Sequence, residues 1–269
     1  MSEINNSDVS KGDSGDVKEV TESKADETVE IDSDLAAELD KSHEAYVTGE
    51  KTFSKGDVAS GSLPACFDGL SEEKRAKQIE ALGKMTPEER EEYLSIVEKE
   101  AAITADAQSI ADKNGAELKG LENRVKTPSS TYEKMYDRGE PRKLGGMNDI
   151  IRYTEVYPAD RLAEGTNASL DEYESRGYTV DRVKNTWDEE NASYRGINAT
   201  LTSPDGQKFE VQFHTQESYD LKNGELHKLY EERRTMADDD PRAVEIDEKM
   251  VELSSKLDRP DNINEVKNR

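Results

Sequence analysis

Residues Phe209-Glu-Val-Gln-Phe-His-Thr215 alternate apolar and polar side chains. Successive side chains of a strand point to opposite faces. Phe209, Val211 and Phe213 therefore share a face suited to a core, and Glu210, Gln212 and His214 share the other. An acid, an amide and an imidazole in a row on a half-buried strand make a candidate site rather than a solvated edge. Upstream stand Arg124, Lys126, Asp149 and Tyr194. A basic Arg-x-Lys motif combined with a second acid points to phosphoryl or pyrophosphoryl transfer.

Arg124 and Lys126 immediately precede a helix expected to start at Thr127-Pro128, and Ser130 and Lys134 lie four apart on one face of it. Cations and a hydroxyl near a helix N-terminus suit phosphate, because the helix amides add positive potential. Taken alone, the stretch also reads as a solvated basic face. Asp149 opens an apolar strand, where a turn or cap role is the plain alternative. Glu210 has apolar neighbours on both sides, and a half-buried carboxylate needs a cation or metal partner. On adjacent strands, Asp149 and Glu210 would hold one Mg²⁺, which takes one or two carboxylates plus substrate phosphates. Tyr194 and Asn198, four apart at an expected strand start, point the same way. The tyrosine ring would stack on a base or else pack in the core. His214 and His227 show no metal-ligand spacing, so zinc is not expected.

The elements that must position these residues are legible in outline. Helices are expected over 71–82 and 87–113, the second opened by a Thr86/Glu89 capping box and stopped at Asn114-Gly115. Strands are expected over 149–156, 178–187, 194–202 and 208–214, with Pro204-Asp205-Gly206 turning the last two into a hairpin. Further helices are expected over 169–176, with a Ser169/Glu172 capping box and a Gly177 stop, and over 218–235 and 241–257. This order predicts an α+β fold, a mixed β-sheet flanked by helices. The organisation reads as an acidic disordered tail (1–44), a helical segment (45–99), the site-bearing domain (100–240) and a C-terminal helix and tail (241–269). Within residues 1–40, thirteen acidic against three basic residues give a net charge of −10 with no apolar periodicity.

The whole chain of 269 residues carries a net charge of −24 and is only 32% apolar. That charge disfavours general affinity for nucleic acid or an anionic membrane. Cys66 is the single cysteine, so no intrachain disulfide forms. No apolar run is long enough for a transmembrane helix. The start Met-Ser-Glu-Ile-Asn-Asn has no basic and apolar leader pattern, so the expected location is the cytoplasm, or outside the cell after export without a cleaved signal.

In order and spacing, these motifs resemble the synthetase domain of the RelA/SpoT-like alarmone synthetases. The resemblance lies in Arg124-Val-Lys126 with Ser130 and Lys134, in Asp149-Ile-Ile, in Lys184-Asn-Thr-Trp187, in Tyr194-Arg-Gly-Ile-Asn198, in Glu210-Val-Gln-Phe-His-Thr215 and in His227-Lys-Leu-Tyr230. It covers roughly residues 100 to 235 and is closest to branches found as toxins and effectors. It implies a nucleotidyltransferase-like synthetase fold and transfer of the β,γ-pyrophosphate of ATP to a nucleotide 3′-hydroxyl. Asp149 and Glu210 would bind Mg²⁺, and Glu210 would help deprotonate the acceptor. Arg124, Lys126, Ser130, Lys134 and Lys184 would bind ATP, while Tyr194, Asn198, Gln212 and His214 would bind the acceptor. A cognate antitoxin or immunity protein is an implied partner.

The departures fall on acceptor recognition. Asp188-Glu-Glu-Asn-Ala-Ser193 replaces the family's Pro-Lys-x-Asn-Gly, Asn198 replaces its His, and His214 replaces its Arg. They leave guanosine, adenosine and the tRNA 3′ end open as acceptors. The acidity disfavours tRNA unless a basic patch, with Arg233 and Arg234, receives it. A non-catalytic acidic adaptor with a degenerate synthetase fold is the alternative from another class.

Overall fold

A computed structural model describes residues 70–136, 143–237 and 239–267. The acidic tail, and the helical segment as far as residue 69, lie outside the described residues. Helix α1 (Glu72–Lys84) is capped by the Ser71 hydroxyl, which accepts from the Lys74 amide. Helix α2 (Pro87–Asn114) starts on the expected capping box, with Thr86 and Glu89 each accepting the other's amide. Tyr93, Val97, Glu100, Thr104, Ala107 and Ala111 are buried along α2, in steps of three and four that keep one face inward. The helix runs unbroken through residue 100. The expected border at 99/100 therefore falls inside one helix packed on the common core.

Strand β1 (Glu117–Leu118), helix α3 (Pro128–Tyr136), strand β2 (Arg152–Val156), helix α4 (Leu162–Ser175) and strands β3 (Thr179–Asn185), β4 (Ile197–Thr202) and β5 (Lys208–His214) follow. The sheet order is β1-β2-β5-β4-β3. β2 and β5 pair in parallel and the other neighbours antiparallel, giving the expected mixed sheet. The β4–β5 hairpin turns at Gly206, whose φ of +85° favours a residue without a β-carbon. After β5 come α5 (Gln216–Leu221), a π-helical turn (Lys222–Leu226), α6 (His227–Arg233) and α7 (Pro241–Ser255). The helix expected over 218–235 thus starts earlier and contains a π turn. No described helix is long and apolar enough to cross a membrane.

The inner face of the sheet carries Tyr153, Ala199, Leu201, Phe209, Val211 and Phe213, all buried. Phe209 sits among Tyr153, Tyr173 and Tyr178, with ring centroids 6.2, 6.0 and 5.7 Å away. Such edge-on and tilted aromatic contacts add to the area burial. Helix α4 corrects the sequence reading: it begins at Leu162, and Ser169 lies in its interior rather than at its cap. The reason is tertiary. Leu162, Ala163, Thr166, Ser169, Leu170 and Tyr173 form one buried stripe, and Gly165 lets the helix approach the Tyr157 ring where a β-carbon would clash.

That interior serine meets a buried acid the sequence did not flag. Glu155 alternates with Tyr153 onto the core face and is fully buried. Its Oε2 accepts from Ser169 Oγ at 2.7 Å and from the Tyr157 hydroxyl at 2.9 Å, while its Oε1 has no partner. Burial pushes the carboxyl up to about 7, against the pull of the two hydroxyls. The unfolded chain releases this proton near the ordinary carboxylate value, and the folded chain keeps it until about pH 7. Stability therefore falls as pH rises through that window, by roughly 3 kcal/mol in all. Glu155→Gln is expected to remove the loss. Urea unfolding should show wild type and variant differing least near pH 4.5, with the variant favoured by pH 8. Parallel stability curves would place no coupled proton at Glu155.

Candidate active site

The outer face of the sheet is polar, and the strand register defines it. Arg152 pairs with Glu210 and Thr154 with Gln212 across β2 and β5. Thr200 pairs with Glu210 and Asn198 with Gln212 across β4 and β5. Lys184 pairs with Asn198, and Arg182 with Thr200, across β3 and β4. Two rows of polar side chains thus cross the sheet on the side away from Phe209. Asn148, just before β2, donates to Thr200 Oγ1 at 2.7 Å and brings the 148–151 segment over the Glu210 row.

Asp149 is held between two ammonium groups, Lys134 Nζ at 2.6 Å and Lys126 Nζ at 3.3 Å. Lys134 projects from α3, whose first turn is capped by the Thr127 hydroxyl accepting from the Ser130 amide at 3.2 Å. Lys126 follows the short bridge between Val125 and Ile151. Burial works to raise the Asp149 carboxyl, but the two lysines outweigh it and leave its pKa below the ordinary value. Burial lowers Lys126, with Arg152 and Lys134 adding to the effect against the pull of Asp149. Ser130 lies one turn from Lys134 and its hydroxyl accepts from Thr127 Oγ1 at 3.0 Å.

Glu210 is the second acid. Burial raises its pKa, the Asp149 charge adds to that, and Arg152 opposes it. Gln212 Nε2 donates to Glu210 Oε1 at 2.6 Å, while Gln212 Oε1 accepts from Lys222. Lys222 stands on the π turn, and burial and the nearby Arg152 bring its ammonium down to about 7 against the pull of Glu210. Arg152 and Lys222 are missing from the sequence reading. Alternation along β2, with Tyr153 and Glu155 facing the core, could have put Arg152 on the polar face. Lys222, at the start of the π turn, is ten residues from Gln212, and no pattern of residue types in the sequence marks that contact.

Asp149 and Glu210 are the acids that could hold a magnesium ion. They lie close enough for Asp149 to oppose ionisation of Glu210, and two carboxylates leave coordination positions for water and phosphate oxygens. Among the described residues no group of three or more His, Cys, Asp or Glu side chains could hold a metal. An ion at this pair would therefore depend on substrate oxygens as well.

Several expected ligands are placed differently. Arg124 is fully buried, its Nε donating to Glu100 Oε1 at 2.5 Å and its Nη1 to the Leu121 carbonyl at 3.0 Å. The Glu100 carboxylate also accepts from Thr104, whose hydroxyl meets Tyr153 at 2.7 Å. Arg124 therefore ties α2 to the Lys126 segment and has no surface to offer a phosphate. Lys184 is about half exposed and pairs with Glu189 at 3.1 Å, an acid from the stretch that departs from the family pattern. Arg233 pairs with Asp247, and Arg234 with Glu133 and Glu231, so the patch expected for tRNA is engaged by acids.

Tyr194 precedes β4 rather than starting it, yet its hydroxyl lies 3.0 Å from Asn198 Oδ1 and 2.7 Å from His214 Nε2. The hydroxyl donates to Asn198 and can accept from His214 Nε2 when that nitrogen carries the ring proton. His214 is buried, and burial holds its pKa well below the ordinary value, so the ring is neutral. Its Nδ1 meets Ser218 Oγ at 2.8 Å, next to the Thr215 cap of α5. Gly196 makes this assembly possible, because a β-carbon there would collide with Tyr194 and His214. The four proposed acceptor-side residues, Tyr194, Asn198, Gln212 and His214, thus lie together at one end of the polar face.

No family model matches the chain, and no curated protein matches it. Solved structures resemble it at low identity. The type VI effector Tas1, in complex with its immunity protein, is 21% identical over 64% of this chain and 97% of that one, with a TM-score of 0.45. The small alarmone synthetase 1 from Bacillus subtilis, bound to its product pppGpp, is 17% identical over 58% and 86%, with a TM-score of 0.44. A GTP pyrophosphokinase family protein from Streptococcus pneumoniae is 19% identical over 64% and 92%, with a TM-score of 0.42. Two of these three are an alarmone synthetase and a GTP pyrophosphokinase family protein, the kind of enzyme that the motif order resembles. At these identities and scores they assign no activity.

The buried pair sets a clear expectation. Arg124→Leu leaves the Glu100 charge without its cation in the core and should cost about 3–5 kcal/mol in urea unfolding. Lys126→Ala, at a partly solvated site, should cost under about 1 kcal/mol. Similar costs for the two variants would contradict the different roles assigned to them.

Proposed function

We propose that this protein is a Mg²⁺-dependent nucleotide 3′-pyrophosphokinase of the alarmone-synthetase type, acting as a toxin or effector. It moves the β,γ-pyrophosphate of ATP to the 3′-hydroxyl of a guanosine or adenosine nucleotide. The observation that carries this reading is the clamp of Asp149 by Lys126 and Lys134, with the half-buried Glu210 near enough for the Asp149 charge to oppose its ionisation. Cations gathered around two acids are what a metal-bound triphosphate needs, because catalysis of phosphoryl transfer is mostly positioning and charge stabilisation.

Asp149 and Glu210 would hold the ion, which when bound neutralises charge on the phosphates. Lys126 and Lys134 exchange part of their hold on Asp149 for phosphate oxygens, and Arg152, in register with Glu210, faces the same charge. Glu210 accepts the proton of the acceptor 3′-hydroxyl, and its raised pKa suits a base working near neutrality. The 3′-oxygen bonds to the β-phosphorus of ATP as the bond from that phosphorus to the α,β-bridging oxygen breaks, releasing AMP. Gln212 orients the Glu210 carboxylate through its amide donor. Tyr194, fixed by His214 and Asn198, flanks the acceptor base. An immunity-type protein partner belongs to the same reading.

The test is transfer from γ-labelled ATP with Mg²⁺ to separate acceptors: GMP, GDP, GTP, AMP, ADP, ATP and tRNA. At least one free nucleotide should become labelled, and Glu210→Gln should lower the rate by about 10²–10⁴-fold without loss of fold. Label on tRNA alone would move the reading to the tRNA 3′ end. Absence of product with every acceptor would favour a non-catalytic adaptor.

A further inference from the structure

The reaction assigns no task to the C-terminal segment, yet that segment contacts the 186–196 loop that carries Tyr194. Between β3 and β4 the chain makes a loop over 186–196, pinched at its base. The Thr186 amide donates to the Gly196 carbonyl at 3.0 Å, and the Gly196 amide to Thr186 Oγ1 at 2.9 Å. From inside, the Arg195 guanidinium donates to the carbonyls of Thr186 at 2.7 Å and Glu189 at 2.6 Å. From outside, residues 254–267 lie across the loop. Buried Ser254 donates to the Ser193 carbonyl at 2.9 Å, and Asn185 Nδ2 donates to the Ile263 carbonyl at 3.0 Å. Arg259 donates to the Trp187 carbonyl and pairs with the Asp188 carboxylate.

The strap is itself anchored. Ile263 and Val266 are buried in the main core with Trp187. Asn167 of α4 donates to the Glu265 carbonyl and accepts from the Lys267 amide, both at 3.0 Å. The loop is therefore tied to both the core and α4 without any substrate, and it delivers Tyr194 to His214.

We propose that Arg195 and Arg259, the latter through the strap at 254–267, are positioning residues that hold the 186–196 loop in its acceptor-binding shape before substrate arrives. The proposal rests on the acceptor role assigned above to Tyr194. Carbonyl oxygens of a solvent-side loop are ordinarily satisfied by water and leave the backbone mobile. Here two guanidinium groups collect them, and a preformed wall spares the acceptor the ordering cost of the loop.

Trp187 is the only tryptophan, so its fluorescence reports on this loop alone. In the full-length wild type without ligand, Trp187 should emit as a buried indole, and the amides of Trp187, Glu189 and Gly196 should exchange slowly. In Arg259→Ala those three amides should exchange at least about tenfold faster and the emission should shift to the red, while β2 and β5 amides stay unchanged. Arg259→Lys should recover only part of the effect. If Arg259→Ala does not fold, Ser254→Ala, which removes one strap bond, should still speed loop exchange selectively. In steady-state assays the acceptor KM should rise several-fold with the ATP KM unchanged. Unprotected loop amides in the wild type, no selective change in either variant, or equal rises in both KM values would overturn the proposal. A wild type without any transfer activity would instead count against the pyrophosphokinase reading, and the exchange and fluorescence results would still judge the strap.

Discussion

The parallel pairing of β2 with β5 in the middle of the sheet is the constraint on which the site depends. It sets Arg152 beside Glu210 and Thr154 beside Gln212, and it brings the segment before β2, with Asp149, to the end of β5 where Glu210 lies. Side-chain alternation makes this register all-or-none. A slip of one residue would send Phe209, Val211 and Phe213 to the polar face and Glu210, Gln212 and His214 into the aromatic core. Burial of Phe209 among three tyrosines therefore does more than stabilise the fold. It selects the register that sets Arg152 beside Glu210 on the polar face.

Charge is handled in three ways around that sheet. The Glu100–Arg124 pair is fully dry, so each member is held by the penalty that would follow loss of the other. It contributes no chemistry, but it fixes α2 to the segment that presents Lys126. Asp149 with Lys126 and Lys134 is only partly desolvated, so the same attraction is weaker and exchangeable. A triphosphate can compete for lysines held this way, whereas it could not extract Arg124. Glu155, on the core face of β2, shows the third outcome: burial without a cation raises the carboxyl to about 7, so it holds its proton well above the ordinary carboxylate range.

Much of this was legible in the sequence where local chemistry and tertiary demand agreed. The α2 capping box, the Gly206 hairpin and strand β5 formed as expected because cap, turn and alternation each act over a few residues. Lys126, Lys134 and Asp149, which the sequence suggested as site residues, form one ion-paired cluster. The failures have physical causes. Ser169 and Glu172 imitate a cap, but the buried stripe from Leu162 onward outweighed that local signal. Arg124 reads as a phosphate ligand because nothing nearby in sequence shows that Glu100, one helix earlier, takes it into the core. Lys222 meets Gln212 from the turn after α5, a contact that no pattern of residue types shows.

The central claim is that the Asp149–Lys126–Lys134 cluster beside Glu210 is a metal-dependent triphosphate site. Calorimetric titration of ATP into the wild type and into Asp149→Asn, each with and without Mg²⁺, tests it most directly. The account predicts that Mg²⁺ strengthens ATP binding to the wild type at least about tenfold and that this enhancement is lost in the variant, whose freed lysines still bind ATP without the ion. An equal enhancement in both proteins, or none in the wild type, would contradict it.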